Sequence, residues 1–430
     1  MRTLAARRWM VFFLATLLFL LSQFYRVSMA VVVPSLTAEV PLEPRRLGTI
    51  SAAFFYAFAL MQLPIGIYLD RFGPRRTMAA LTLVAGAGAL VFAQGQTFAS
   101  LVAGRALLGI GMACNLMGTL KLITLWFGPA HFATLSALVV SLGTVGNLAA
   151  ATPLVLLVEA AGWRDSFRLL GLLTAALAVI FYLAVRDHPD CGPTYGSLPD
   201  LQAVPAASTS GALGALFAQR DYWIISFGTF CRYGIYAAVQ ALWAGPFLMA
   251  ALGVSALGTG NLLFVMSIGM VVGCPFCGWL SDDLLRSRKI VIVGGLGGMV
   301  IVLAILAHLS PGTATGMLVG LFFAFGFFSG AGQIMYAQIK EHMPLAQAGT
   351  AMTGINFFTM LGVAFFLQGL GRLLQRFNPE AAMGPDAFRA AFLFCAGCLA
   401  LAAFFYLFTR ETLGQRRTRA PSRKAPPSRS

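Results

Sequence analysis

Apolar runs long enough to cross a bilayer as helices, about 20 residues each, fill most of this chain. In order they cover 9–33, 47–69, 77–95, 99–124, 133–157 and 166–186, and then 222–246, 257–280, 289–308, 312–337, 349–370 and 387–409. A polar stretch rich in Pro and Ser separates the two sets. The pattern predicts an all-α membrane protein with twelve transmembrane helices in two pseudo-symmetric six-helix halves, 1–186 and 222–410. Residues 187–221 read as a cytoplasmic linker. Residues 411–430 read as a basic tail with too little apolar content to fold.

Composition points the same way. Hydrophobic residues make up 58% of the 430 and charged residues only 10%, against about 25% charged in soluble domains. The formal net charge of +15 raises nucleic-acid binding as a reading. Its placement argues against that: most Lys and Arg fall in loops and tails, where they set topology and touch anionic lipid headgroups. The expected partner is the bilayer, with no nucleic acid.

Charge also gives the orientation. With both termini inside, 19 Lys/Arg lie on the cytoplasmic side and seven outside, the bias of the positive-inside rule. Arg2, Arg7 and Arg8 precede a first apolar run too long for a signal peptide. It therefore reads as the first spanning helix of a multi-pass protein of the cell inner membrane. The seven cysteines show no secreted disulfide pattern. The Cys274–Cys277 and Cys395–Cys398 spacings lie in apolar helices without a nearby histidine, so they read as packing residues. No metal site or cofactor is expected, and no nucleophile–histidine pair suggests an enzyme.

The loop between the second and third runs carries Gly66, Asp70, Arg71, Gly73, Arg75 and Arg76. A partial copy, Gly278, Asp282, Arg286, Arg288 and Lys289, follows about 212 residues later without the turn glycine. Together with Arg105-Ala-Leu-Leu-Gly109-Ile-Gly111, Gly162-Trp163-Arg164 and Gly349-Thr350-Ala351, the chain resembles the major facilitator superfamily over essentially its whole length. The resemblance implies secondary transport by alternating access. It also implies that the Asp70 cluster and its copy latch the halves, and that Arg105 serves coupling or structure in helix 4. The protein is expected to be a monomer.

Four basic residues fall inside predicted spans: Arg26, Arg105, Lys121 and Arg232. Near a helix centre each costs at least about 2.5–3.5 kcal/mol unless paired or hydrated. No acidic residue lies deep in any span, so the cavity should be net positive. Guanidinium offers a two-pronged fork to carboxylate, phosphate or nitrate. Tyr25-Arg26 and Arg232-Tyr233 occupy equivalent first helices of the two halves and are expected to face each other at the midplane, where such transporters bind substrate. This placement resembles the organic-anion, sugar-phosphate and nitrate branches of the superfamily. The expected substrate contacts are Arg26, Arg232, Tyr25, Tyr233, Gln240, Trp243, Asn356 and Lys121. Gln23, Asn115, Thr119, Asn147, Tyr236, Gln333 and Tyr336 form a second tier that either meets substrate or links helices. The sequence thus reads as a carrier of a small anionic solute, by proton symport or exchange for a counter-anion. The alternative is a proton-coupled exporter of drugs or metabolites, which a buried carboxylate would favour.

Overall fold

The computed structural model describes residues 2–127, 129–188, 218–342, 348–377 and 384–411. Every described element is helical. Ten runs are long and apolar enough to cross a membrane, and two helices double back at a glycine: Gly73 (φ 79°, ψ 158°) inside Pro44–Gln94 and Gly162 (φ 77°, ψ 159°) inside Thr152–Ala184. Both conformations belong to the region open mainly to glycine. Cut there, the described helices are compatible with the twelve expected from the apolar pattern.

We number the helices in chain order. α1 comprises Arg2–Val27 and Met29–Glu39, broken at Ser28. α2 and α3 are the arms of Pro44–Gln94 before and after Gly73. α4 is Phe98–Met112 and Asn115–Phe127. α5 is Pro129–Ala149 with the part of Thr152–Ala184 before Gly162, and α6 is the part after it. α7 starts as Arg220–Ala238 and continues through wider π-helical turns, Val239–Trp243 and Phe247–Ala251. α8 is Ala256–Trp279 with Leu280–Leu284, and α9 is Arg288–Leu306. α10 is Thr315–Ser329 and Gly332–His342, α11 is Ala348–Phe377 and α12 is Pro385–Tyr406. Local signals set several starts: Thr97 and Ser100 form a capping box on α4, while Ser255 and Ser287 cap α8 and α9.

The helix breaks are satisfied from within, as a bilayer requires. At the α1 break, the Tyr25 carbonyl accepts from Arg105 Nη1 at 3.0 Å and from Ser28 Oγ at 3.2 Å. At the α4 break, Met112 and Ala113 carbonyls accept from Ser22 Oγ and Gln62 Nε2, each at 3.1 Å. At the α10 break, the Ser329 carbonyl accepts from Arg232 Nη1 at 2.9 Å.

The motif loops share one end of the bundle, and in each half a carboxylate just past the last helix caps the third. Asp187 Oδ1 accepts from the Arg75 backbone N–H at 2.7 Å. Glu411 Oε1 accepts from the Arg288 N–H at 3.0 Å, and its Oε2 from Lys289 N–H at 3.2 Å. A negative group on a helix N-terminus answers both its free N–H groups and its dipole. Asp187 and Glu411, assigned from sequence to the linker and the tail, thus belong to the folded core, and α7 starts at Arg220 inside the expected linker. The remainder of linker and tail lies outside the described residues. In the second copy Arg286 has a positive φ (48°), as Gly73 has in the first (79°).

The halves meet at the opposite end. A Cβ on Gly48 of α2 would lie 2.5 Å from the Leu367 carbonyl of α11, and one on Gly245 of α7 would lie 2.2 Å from the Ala30 carbonyl of α1. Hydrogen bonds join Tyr56 to Gln368 (3.2 Å), Gln368 to Thr49 (3.3 Å), Gln375 to Glu43 (2.8 Å) and Thr152 to Asn261 (2.8 Å). Trp243 donates to the Leu367 carbonyl at 3.2 Å and ties α7 to α11 within the second half.

The loop geometry predicts opposite effects at its two turn positions. Left-handed backbone costs a non-glycine residue about 1–2 kcal/mol, so Arg286→Gly should raise the melting temperature of the purified protein in detergent. Gly73→Ala should lower it by several degrees, because the new Cβ would meet Asp187 Oδ2 at 2.6 Å as well. Equal melting curves for all three proteins would contradict this account of the turns.

Candidate functional site

Arg26 and Arg232 are both nearly buried, with 9% and 2% of their surface exposed. Arg26 stacks on Phe58 of α2, its Cζ 4.5 Å from the ring centroid, a cation–π contact. No carboxylate pairs with it among the described residues, and its buried Nε has no partner. Arg232 reaches the Ser329 carbonyl at 2.9 Å and the Ser329 hydroxyl at 3.4 Å, leaving its Nε unpartnered. The Tyr336 phenol of α10 lies within electrostatic reach of both guanidiniums and shares a 3.1 Å hydrogen bond with Thr359 of α11.

The two arginines are staggered along the bundle, not level as expected. The Ala30–Gly245 contact registers α1 against α7, and the end of Arg2–Val27 packs against Val239–Trp243. From that contact toward the motif end, Arg26 lies four residues away and Arg232 thirteen. At 1.5 Å per residue, shortened by the π-helical turns, their backbones are offset by about 10 Å.

Room for Arg232 comes from an absent side chain. A Cβ on Gly332 would lie 1.9 Å from Arg232 Cζ, so the guanidinium fills the space beside the α10 break. Sequence reading did not single out Gly332 or Ser329. Their signal was the Ser329-Gly330-Ala331-Gly332 run, which weakens a helix and frees a carbonyl in the middle of a span.

The other expected contacts divide. Tyr233 is half-buried, 5.3 Å from Arg232 Cζ to its ring centroid, and belongs with the site. Asn356 is half-buried in α11. Tyr25 points into the N-terminal half, where its hydroxyl pairs with Thr174 of α6 at 2.9 Å. Gln240 is engaged with Ser267 of α8 at 2.9 Å. Trp243 is fully buried and donates to Leu367 of α11 in its own half. Lys121 lies at the motif end, 2.6 Å from Asp70 Oδ1 and 2.8 Å from the Leu69 carbonyl, and so is part of the loop cluster instead of the arginine site. Arg105 is fully buried, stacks on Phe54 at 4.8 Å and holds the broken end of α1.

The motif residues make a ring of contacts within each half. Asp70 faces Lys121 of α4. Arg75 donates to the Tyr182 carbonyl at 2.8 Å and stacks on that ring at 4.4 Å. Arg71 lies beside Phe72, and Arg76 is exposed. In the second half Arg288, not Arg286, pairs with Asp282, and it also reaches Glu341 of α10 at 3.0 Å. Gly66 and Gly278 face open space.

The family model described as Major Facilitator Superfamily matches residues 11–367 and 225–429. The chain belongs to that superfamily. Within it, the chain is 25% identical over 333 residues to a probable sulfoacetate transporter, SauU, of Cupriavidus necator, covering 74% of this chain and 76% of the relative. A probable hexose phosphate transport protein of Chlamydia trachomatis is 22% identical over 90% of this chain and 88% of its own. The crystal structure of a D-xylose-proton symporter superposes with a TM-score of 0.72 at 20% identity, covering 94% of this chain and 98% of that one. The protein is therefore a multi-pass membrane protein with a superfamily transporter fold, and its homologues are transporters.

Gly332→Ala tests the arginine site most locally. The added methyl should push Arg232 off Ser329 and lower transport at least about tenfold, with the protein still folded and inserted. Gly320→Ala in the same helix, where a Cβ meets nothing within 4 Å, should transport normally. Equal transport by both variants would show that Arg232 is not held as described.

Proposed function

We propose that this chain is a secondary transporter for a small anionic solute in the bacterial inner membrane, working by alternating access. The observation that carries the reading is the pair of nearly buried guanidiniums, Arg26 and Arg232, with no carboxylate partner among the described residues. An unpaired charge inside a membrane is costly unless something neutralises it, and an anionic substrate does so when it binds. Sulfoacetate and hexose phosphate, named for two relatives, are both anions.

The described acidic residues support the same choice. All lie within about one turn of a helix end, from Glu39 and Asp70 to Asp282, Glu341 and Asp386. A proton-coupled exporter of cationic drugs would use a carboxylate beside its substrate, so the exporter reading is the weaker one. Coupling by exchange for a counter-anion, or by a proton carried with the substrate, fits a site built from arginines.

The basic motif loops support a cytoplasmic position for that end of the bundle and for both termini. The Gly48–Leu367, Gln375–Glu43 and Thr152–Asn261 contacts then close the outer side. Closure on that side is what an inward-facing state requires. Opening outward would break these contacts as the halves rock about the arginine site.

Purified protein in liposomes, given a panel of labelled anions with and without a pH gradient, tests the reading. Arg26→Gln and Arg232→Gln should each reduce anion uptake by about 30-fold or more, the loss expected when one partner of a buried charged contact is removed. Uptake of a neutral or cationic solute that neither substitution changes would overturn it. A disulfide between Thr152→Cys and Asn261→Cys should hold the outer side shut and stop transport until it is reduced. Full transport by the cross-linked protein would contradict alternating access at this seam.

A further inference from the structure

At the end opposite the motif loops, α2 and α11 touch where Gly371 meets Pro44: a Cβ on Gly371 would lie 2.5 Å from the Pro44 carbonyl. The next residue on each helix is an arginine, Arg45 and Arg372. Both are exposed, and with Gln375 and Arg376 they line an opening of about 410 Å³. The opening spans the seam, since Arg45 belongs to the first half and the other three residues to the second. Arg372 also lies within electrostatic reach of Tyr56 of α2, across that seam.

These three arginines differ from their neighbours at the same end. Arg164 pairs with Glu39 at 2.7 Å and Arg168 with Asp165 at 2.6 Å. Arg46 is placed over Phe98, its Cζ 5.7 Å from the ring centroid. Arg45, Arg372 and Arg376 form no ion pair with a described residue. One carboxylate, Glu43, reaches the lining by accepting from Gln375 Nε2 at 2.8 Å. Against three arginines it leaves the opening net positive.

Like charges gathered at a closed seam repel, and the repulsion falls when the halves part. An anion with several acceptor oxygens reverses that balance. Guanidiniums fork onto the oxygens of a phosphate group, so one phosphate can accept from both halves at once. Opening would draw Arg45 away from Arg372 and Arg376 and dismantle the site. A ligand held only by the closed form lowers the open fraction.

We infer that this opening binds a phosphate group, from inorganic phosphate or from an anionic lipid headgroup, and that the bound group latches the α2–α11 seam shut. The inference rests on alternating access at this seam and is independent of the solute carried.

Opening is read as thiol labelling at position 51 of Ser51→Cys, in the whole protein in phosphatidylcholine nanodiscs. Ser51 is fully buried, about one turn inward from Gly48 at its contact with Leu367. Peptide mass separates this label from the native cysteines. One arm adds inorganic phosphate, with chloride at equal ionic strength as control. The other replaces part of the phosphatidylcholine by phosphatidylglycerol. At least one arm should slow labelling about fivefold or more. Slowing by phosphate identifies the free ion as an occupant, and slowing by phosphatidylglycerol alone identifies the lipid. Arg45→Gln and Arg376→Gln should each cut the slowing to about twofold or less. Arg46→Gln, with the same change in net charge, and Arg26→Gln, at the central site, should keep it. Labelling that neither arm slows, slowing that survives Arg45→Gln and Arg376→Gln, or slowing lost with Arg46→Gln or Arg26→Gln would overturn the inference. The disulfide between Thr152→Cys and Asn261→Cys tells that failure from a deeper one. If the disulfide blocks labelling, only the phosphate latch is lost. If the disulfide also leaves labelling unchanged, alternating access at this seam falls with it.

Discussion

A bilayer supplies no water to a broken helix, so every carbonyl freed at a break needs a donor from the protein itself. Much of this molecule follows from that constraint. α1, α4 and α10 are each interrupted near the middle, and each interruption is answered by a side chain from another helix. Two of the donors are arginines. Arg105 holds the Tyr25 carbonyl and Arg232 holds that of Ser329. Such bonds make a cation tolerable in the span, and they fix where its remaining N–H groups point. Arg26 has no such anchor and rests on the face of Phe58. Arg232 is therefore partly a strut, whereas Arg26 is the more available charge.

The same economy shapes the motif end. Each half closes its turn between the second and third helices with a carboxylate that arrives after the sixth, Asp187 in one and Glu411 in the other. The residues differ at the turn: Arg286 has a positive φ at the second turn, as Gly73 has at the first. Around these caps the ion pairs Lys121–Asp70 and Arg288–Glu341 tie the loops to α4 and α10. α10 also carries the break beside Arg232, so the second loop cluster and that arginine are joined through a short segment of one helix. The tight contacts between the halves lie at the other end, so one end of the bundle organises each half and the other holds the halves together.

The fold was legible because its signal is strong: membrane-length apolar runs, turn glycines and loop arginines need no tertiary information. Arg26 and Arg232 were legible for a related reason, since a charge in an apolar span is conspicuous. Partner choice was not. Lys121 looked like a cavity residue, yet it reaches down α4 to Asp70, as a long flexible side chain can. Tyr25 is next to Arg26 in sequence but about 100° away around the helix, and it packs into its own half. Gly332 mattered through what it lacks, and only the placement of Arg232 against it reveals why. The offset between the arginines also required the structure, because it depends on how α1 and α7 are registered at Ala30 and Gly245.

The central claim is that Arg26 and Arg232 are uncompensated charges awaiting an anion. Anomalous diffraction from crystals grown with bromide as the only small anion addresses it directly. The account predicts bromide density within about 4 Å of the Arg26 or Arg232 guanidinium, at hydrogen-bonding or ion-contact range. That density should disappear when a transported solute is added. A map with no bromide at either arginine, or with a carboxylate side chain drawn onto them, would contradict it.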